Sequence, residues 1–196
     1  PFQSAPPLIL AAHFDTVQGS PGADDNASAL AVILQIARRV RAMKLARPIH
    51  FTAFNLEEEN LLGSSAYTAL LRKNRETIHG AIVLECVGYA SHHEHSQKIP
   101  PGIPIAVPTT GNFLAVIGNE HSHILTGSVA KAMQSHLPIV PLVVPGNGEK
   151  LPDTRRSDHT SFWEQGFPAV MLTDTANFRN PHYHQPTDTL DTLNLD

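Results

Sequence analysis

Three short apolar runs each lead into metal-ligand side chains, and this constrains the chain more than any other feature. Leu8–Ala12 is followed by His13-Phe14-Asp15, Ile49–Phe54 by Glu57-Glu58-Glu59, and Ala81–Leu84 by Glu85. The runs are short and bounded by polar residues, as buried strands are. Between them the pattern changes to helical spacing. Leu30, Ile33, Leu34, Ala37 and Val40 fall on one face of a helix expected over Ala27–Met43, with basic residues near its end, where the helix dipole favours them. A second helix is expected over Leu61–Leu71. The order β-α-β-α-β implies parallel strands joined by right-handed crossovers. In such sheets, ligands gather beyond the carboxyl ends of the strands. His13, Glu57, Glu58 and Glu85 are therefore expected to meet at one edge.

The second half is less regular. Eight of the 16 prolines lie between Pro100 and Pro152, so residues 90–152 read as a loop-rich insertion. Within it a helix is expected over Ser122–Ser135 and a strand over Ile139–Val144, with long loops elsewhere. A short helix over Ser161–Gln165 and a strand over Ala169–Thr173 follow. No internal repeat appears. The 196 residues are read as one catalytic domain.

Composition removes some function classes. With 14 basic and 18 acidic residues the net charge is −4, and no basic stripe is present, which argues against a nucleic-acid partner. No apolar run approaches the ~18 residues of a membrane span. No signal peptide is visible in a chain that opens on Pro1, so the compartment stays open, a secreted or periplasmic one included. Cys86, the single cysteine, allows no internal disulfide and reads as a buried structural thiol. The His92-His93-Glu94-His95 tract lies in a polar stretch before Pro100 and reads as a surface loop. His121 and His123 flank a helix start and read as capping or exposed residues.

The scattered polar stretches form a sequence of motifs: His13-x-Asp15, Gly22-Ala-Asp-Asp-Asn26, Glu57-Glu58 with Gly63-Ser64 behind them, Glu85 with Gly88-Tyr89, Ser157-Asp158-His159, and His184 with Asp188-Thr189. In this order they resemble the M28 family of zinc aminopeptidases, over nearly the whole chain. The resemblance implies a three-layer α/β/α fold with a central mixed, mostly parallel sheet, the zinc-dependent exopeptidase fold. It implies two Zn²⁺ ions, with Asp24 bridging them, His13 and Glu85 completing one site, and Glu58 and His184 the other. His182 competes with His184, but the interval to Asp188-Thr189 favours His184. A hydroxide shared by the metals would be the nucleophile and Glu57 the general base. Asp15 would accept the second N–H of His13 and fix its tautomer, and Asp158 would support the base. The family's cis peptide, which follows the bridging Asp, would fall at Asp24-Asp25.

Two departures bear on function. The family's aminopeptidases carry Asp where this chain has Glu85, and in related zinc exopeptidases Glu there accompanies carboxypeptidase specificity. The motifs also begin and end close to the chain termini, so the domain is expected to be shortened at both ends. The expected function is an exopeptidase acting on a peptide substrate, most simply an aminopeptidase. A carboxypeptidase, a glutaminyl cyclase and a catalytically silent binding domain are the alternatives. Arg155 or Arg156 is a candidate clamp for a substrate carboxylate. The sequence leaves the oligomeric state open.

Overall fold

A computed structural model describes residues 5–195. Six strands form one sheet: β1 (Leu8–His13), β2 (Ile49–Phe54), β3 (Gly80–Glu85), β4 (Leu114–Asn119), β5 (Ile139–Val144) and β6 (Ala169–Thr173). Their spatial order is β2-β1-β3-β6-β4-β5. β2, β1, β3 and β6 run parallel to one another, whereas β4 is antiparallel to β6 and parallel to β5. The sheet is therefore mixed and mostly parallel, in an α/β architecture.

Four helices cover it: α1 (Ala29–Val40), α2 (Leu62–Lys73), α3 (His123–Met133) and α4 (His159–Glu164). Alternation along each strand divides the core into two layers. Ile9 and Ala11 of β1 pack with Phe54, Leu71, Phe162 and Trp163, the side of α2 and α4. Leu10 and Ala12 face the opposite way, with Ala29, Ile33 and Val129 from α1 and α3. The central strands are buried on both faces, as near-continuous apolar runs require.

The segment read as loop-rich adds more to the sheet than its prolines suggest. Besides α3 and β5 it supplies β4, an interior strand read from sequence as loop. Residues 90–113 contain no regular helix or strand. The tract His92–His95 lies in this stretch, with each of its four residues exposed.

Register places the site. β1 ends with His13 beside Phe54 of β2, and β3 ends with Glu85 beside Thr173 of β6. The polar residues that follow three strands thus emerge at one edge, as the Leu8–Ala12, Ile49–Phe54 and Ala81–Leu84 runs indicate.

Candidate active site

His13 closes β1 and is fully buried. Its Nε2 lies 3.1 Å from Asp25 Oδ1 and 3.3 Å from Glu85 Oε2, with Glu57 Oε2 at 4.0 Å. On the other side of Asp25, His184 Nε2 lies 3.0 Å from Oδ2 and 3.2 Å from Glu58 Oε2. One carboxylate therefore spans two imidazoles, each with a further carboxylate beside it. Three overlapping donor groups result: His13 with Glu57 and Glu85, Asp25 with Glu58 and His184, and Asp25 with Glu85 and Cys86.

The carboxylate between the two imidazoles is that of Asp25, not of Asp24, the residue expected from the sequence to be shared. Asp24 turns into the protein, where its carboxylate accepts from Gly88 N–H at 2.8 Å and Asn180 Nδ2 at 2.7 Å. The cause is the irregular turn Ala23–Ser28, in which Asp25 and Asn26 depart from helical angles. Asp188 holds this turn from the far end of the chain, accepting the Asp24 and Asp25 N–H groups at 3.0 and 3.2 Å. Asn26 ties it to β3, donating to Leu84 O at 3.0 Å and accepting Cys86 N–H at 3.1 Å. The cis peptide likewise joins Asp25 and Asn26, one bond later than expected.

Asp15 does stand at the second nitrogen of His13, as expected, but through its backbone. The His13 Nδ1 partner at 3.0 Å is the Asp15 backbone oxygen, and the carboxylate oxygen is farther, at 3.5 Å. The carboxylate instead accepts the backbone N–H groups of Glu57 at 3.2 Å and Glu58 at 3.1 Å, and so fixes the turn that presents both glutamates. That turn uses left-handed backbone at Leu56, Asn60 and Leu61. It brings α2 so close to it that a Cβ on Gly63 would lie 2.1 Å from Asn55 O, which accounts for glycine there. Ser64, next along, meets Ser161 of α4 at 2.8 Å.

Glu85 lies where its strand was expected to place it. Ser157 Oγ donates to its Oε2 at 2.7 Å, and Cys86 Sγ lies 3.4 Å from its Oε1. Cys86 is buried as expected, but at the margin of the site, which its apolar surroundings in the sequence did not indicate. His182 points away and pairs with Thr187 Oγ1 at 2.9 Å. His159 also stays outside the site, with Nε2 2.9 Å from Thr154 O and its ring edge-on to Trp163.

The electrostatics call for positive charge. Among the described residues, Asp24, Asp25, Glu57, Glu85, Asp158, Asp174 and Asp188 are buried carboxylates, against one buried guanidinium, Arg179. Burial opposes charge on His13, yet Glu85, Asp25 and Glu57 push its pKa up to about 12. The Asp25 and then the Glu58 carboxylate, 3.0 and 3.2 Å from Nε2, raise His184 to about 9. Burial, then the Glu85 charge, raises Glu57 to about 9. Burial also carries Asp158, whose charge is felt at Glu57, up to about 7.

The donors are shaped for cations. His13 Nε2, Asp25 Oδ1, Glu58 Oε1 and His184 Nε2 are buried and make no hydrogen bond, although carboxylates and imidazoles stand about 3 Å apart there. Buried polar atoms ordinarily find partners. A mixed set of imidazole nitrogen and carboxylate oxygen suits Zn²⁺.

Beside Glu85 opens a pocket. Its inner wall is apolar, with Ile103, Phe113, Leu142, Met171 and Phe178 among its lining residues, and Asp153, Arg156, Asn177 and Tyr183 add polar groups. The residues 100–107 contribute Pro100, Ile103, Ile105 and Val107, so the irregular segment does form a wall of this space.

An α/β sheet with an acid-rich, imidazole-flanked carboxylate at its edge offers the donor set of a metal site. The profile of peptidase family M28 matches residues 2–196, and the chain belongs to that family. It is 33% identical to the uncharacterized protein YfbL of Escherichia coli, over 96% of this chain and 62% of that protein. It is 27% identical to aminopeptidase YwaD of Bacillus subtilis, over 94% of this chain and 36% of the relative. Among solved structures, the aminopeptidase of Aneurinibacillus sp. strain AM-1 superposes with a TM-score of 0.69 at 27% identity, covering 97% of this chain and 40% of that one. The chain thus spans less than two thirds of the length of these relatives.

Proposed function

We propose that this chain carries the catalytic centre of a zinc-dependent exopeptidase, an aminopeptidase that removes N-terminal residues from peptides. The observation that supports it most is the Asp25 carboxylate between His13 Nε2 and His184 Nε2, at 3.1 and 3.0 Å, among buried donors that lack hydrogen bonds. The aminopeptidase relatives favour this end of the peptide.

Two Zn²⁺ ions are the reading that fits this donor set. Asp25 would be shared between them, His13 and Glu85 would hold one, and Glu58 and His184 the other. When bound, such ions supply Lewis acidity and make a water reactive near neutral pH. Glu57 has no ligand role in this assignment. Its carboxylate, 4.0 Å from His13 Nε2, would take the proton of the attacking water and return it to the leaving amine. Burial in this acid-rich site raises its proton affinity, which suits a general base. Asp15 keeps Glu57 and Glu58 in place through their N–H groups, and Asp158 adds to the field at Glu57. The apolar pocket beside Glu85 would receive a substrate side chain.

The test combines metal content with hydrolysis of peptides blocked at either end. Zinc at about two per chain and a requirement for a free N-terminus are expected. A requirement for a free C-terminus would convert the assignment to carboxypeptidase, and pyroglutamate formation with a single zinc would convert it to a cyclase. Glu57→Gln should lower turnover about 10²–10⁴-fold with zinc retained. Full activity in that variant would remove Glu57 from the chemistry.

A further inference from the structure

We propose that Arg156 recognises a carboxylate on the substrate, so that the preferred peptides carry a negative charge close to the bond that is cut. The inference rests on the exopeptidase reading above and names its substrate class.

Of the adjacent arginines, Arg155 is committed to the fold. It donates to Asn147 O at 2.6 Å and pairs with Glu164. Arg156 is arranged otherwise. Its hydrogen bonds go to neutral groups, Asn177 Oδ1 at 2.8 Å and the Tyr183 hydroxyl at 3.2 Å. Among the described residues, the one carboxylate within ion-pair distance is Asp153, at a loose 4.0 Å. The side chain is 42% exposed, so a ligand can reach it.

Its location connects it to the metal centre. The guanidinium carbon lies 5.6 Å from the Tyr183 ring centre. The Tyr183 ring stacks on His184, 3.8 Å away with 16° between the planes. Arg156 is therefore two ring contacts from the donors that would hold a cation. It also lines the same pocket as Glu85, whose inner wall is apolar. An extended residue spans at most about 3.6 Å, so a carboxylate one or two residues from the cut bond lies within ~7 Å of it. Asn177 and Tyr183 hold the guanidinium plane in place, which favours the forked geometry by which arginine meets a carboxylate. The carboxylate has two possible sources: the C-terminus of a dipeptide or the side chain of an acidic residue.

Binding separates these sources and does not depend on turnover. With the zinc-loaded Glu57→Gln protein, calorimetry would compare Leu-Gly with Leu-Gly-amide, and Glu-Gly-amide with Gln-Gly-amide. In one pair the carboxylate member is expected to bind about tenfold tighter or more. Adding Arg156→Met should erase that preference, and Arg156→Lys should retain part of it. The first pair responding identifies short peptides as the substrates, and the second identifies acidic residues. No preference in either pair, or a preference that survives Arg156→Met, overturns the proposal. So does loss of zinc in both Arg156 variants, which would assign Arg156 to supporting Tyr183 and His184. Failure of the chain with Glu57 intact to cleave any peptide would count against the exopeptidase reading alone, because the binding comparison would still stand.

Discussion

Asp24 and Asp25 are consecutive in the chain but serve different networks. Asp25 faces His13 and His184, whereas Asp24 accepts from Gly88 and Asn180 behind the site. The pair therefore offers a direct test of which carboxylate is shared between ions. Asp25→Asn should abolish binding of both zinc ions, since an amide supplies no charge and one oxygen only. Asp24→Asn should keep the zinc and reduce stability by about 1–3 kcal/mol, because a buried acceptor of two hydrogen bonds is altered. Zinc content by mass spectrometry and thermal unfolding of both variants decide it. Loss of zinc only in Asp24→Asn would return the bridge to Asp24.

Metal loading should release protons. In the metal-free protein His13 and His184 have pKa values raised to about 12 and about 9, so both are protonated at pH 7. Each must give up its proton to coordinate a cation through nitrogen. About two protons or more should therefore leave on zinc binding at pH 7, with Glu57, raised to about 9, a third source. Calorimetry in buffers of different ionisation enthalpy measures the count. A count near zero would show that the imidazoles are not ligands.

His159 should make the fold sensitive to acid. Fully buried, with its pKa lowered from 6.5 to about 4 by burial, it stays neutral in the folded protein where the unfolded chain takes up a proton. Stability from this residue is present above pH 6.5 and is lost as pH falls towards 4. The loss is about 3 kcal/mol at most. In His159→Gln the amide can still donate to Thr154 O, and no proton is taken up. Unfolding free energies of the two proteins between pH 7 and pH 4.5 should converge as the pH falls. Parallel curves would show that His159 does not govern this response.

How much of this arrangement local sequence reveals depends on the range of the interactions. His13, Glu57, Glu58 and Glu85 follow strand-like runs, and parallel topology alone brings them together. The choice between Asp24 and Asp25 is not local. It is set by Asp188 and by Asn26 bound to β3, contacts that span up to 164 residues. β4 escaped notice for a related reason. Its apolar run, Phe113–Ile117, is short and follows a proline-rich stretch, and its place in the sheet is fixed by antiparallel pairing with β6, more than fifty residues later. Arg155 and Arg156 look equivalent in sequence, and partners distant in the chain, among them Glu164 on α4 and the Tyr183 ring, distinguish them.

The clamp of Asp188 on the Asp24-Asp25 backbone has a consequence for the life of the protein in the cell. A chain still emerging from the ribosome holds His13, Glu57 and Glu85 long before His184 and Asp188 exist. Until then the turn that aims Asp25 lacks its anchor, and one of the two imidazoles is missing. The complete donor set therefore exists only once residue 188 has been made.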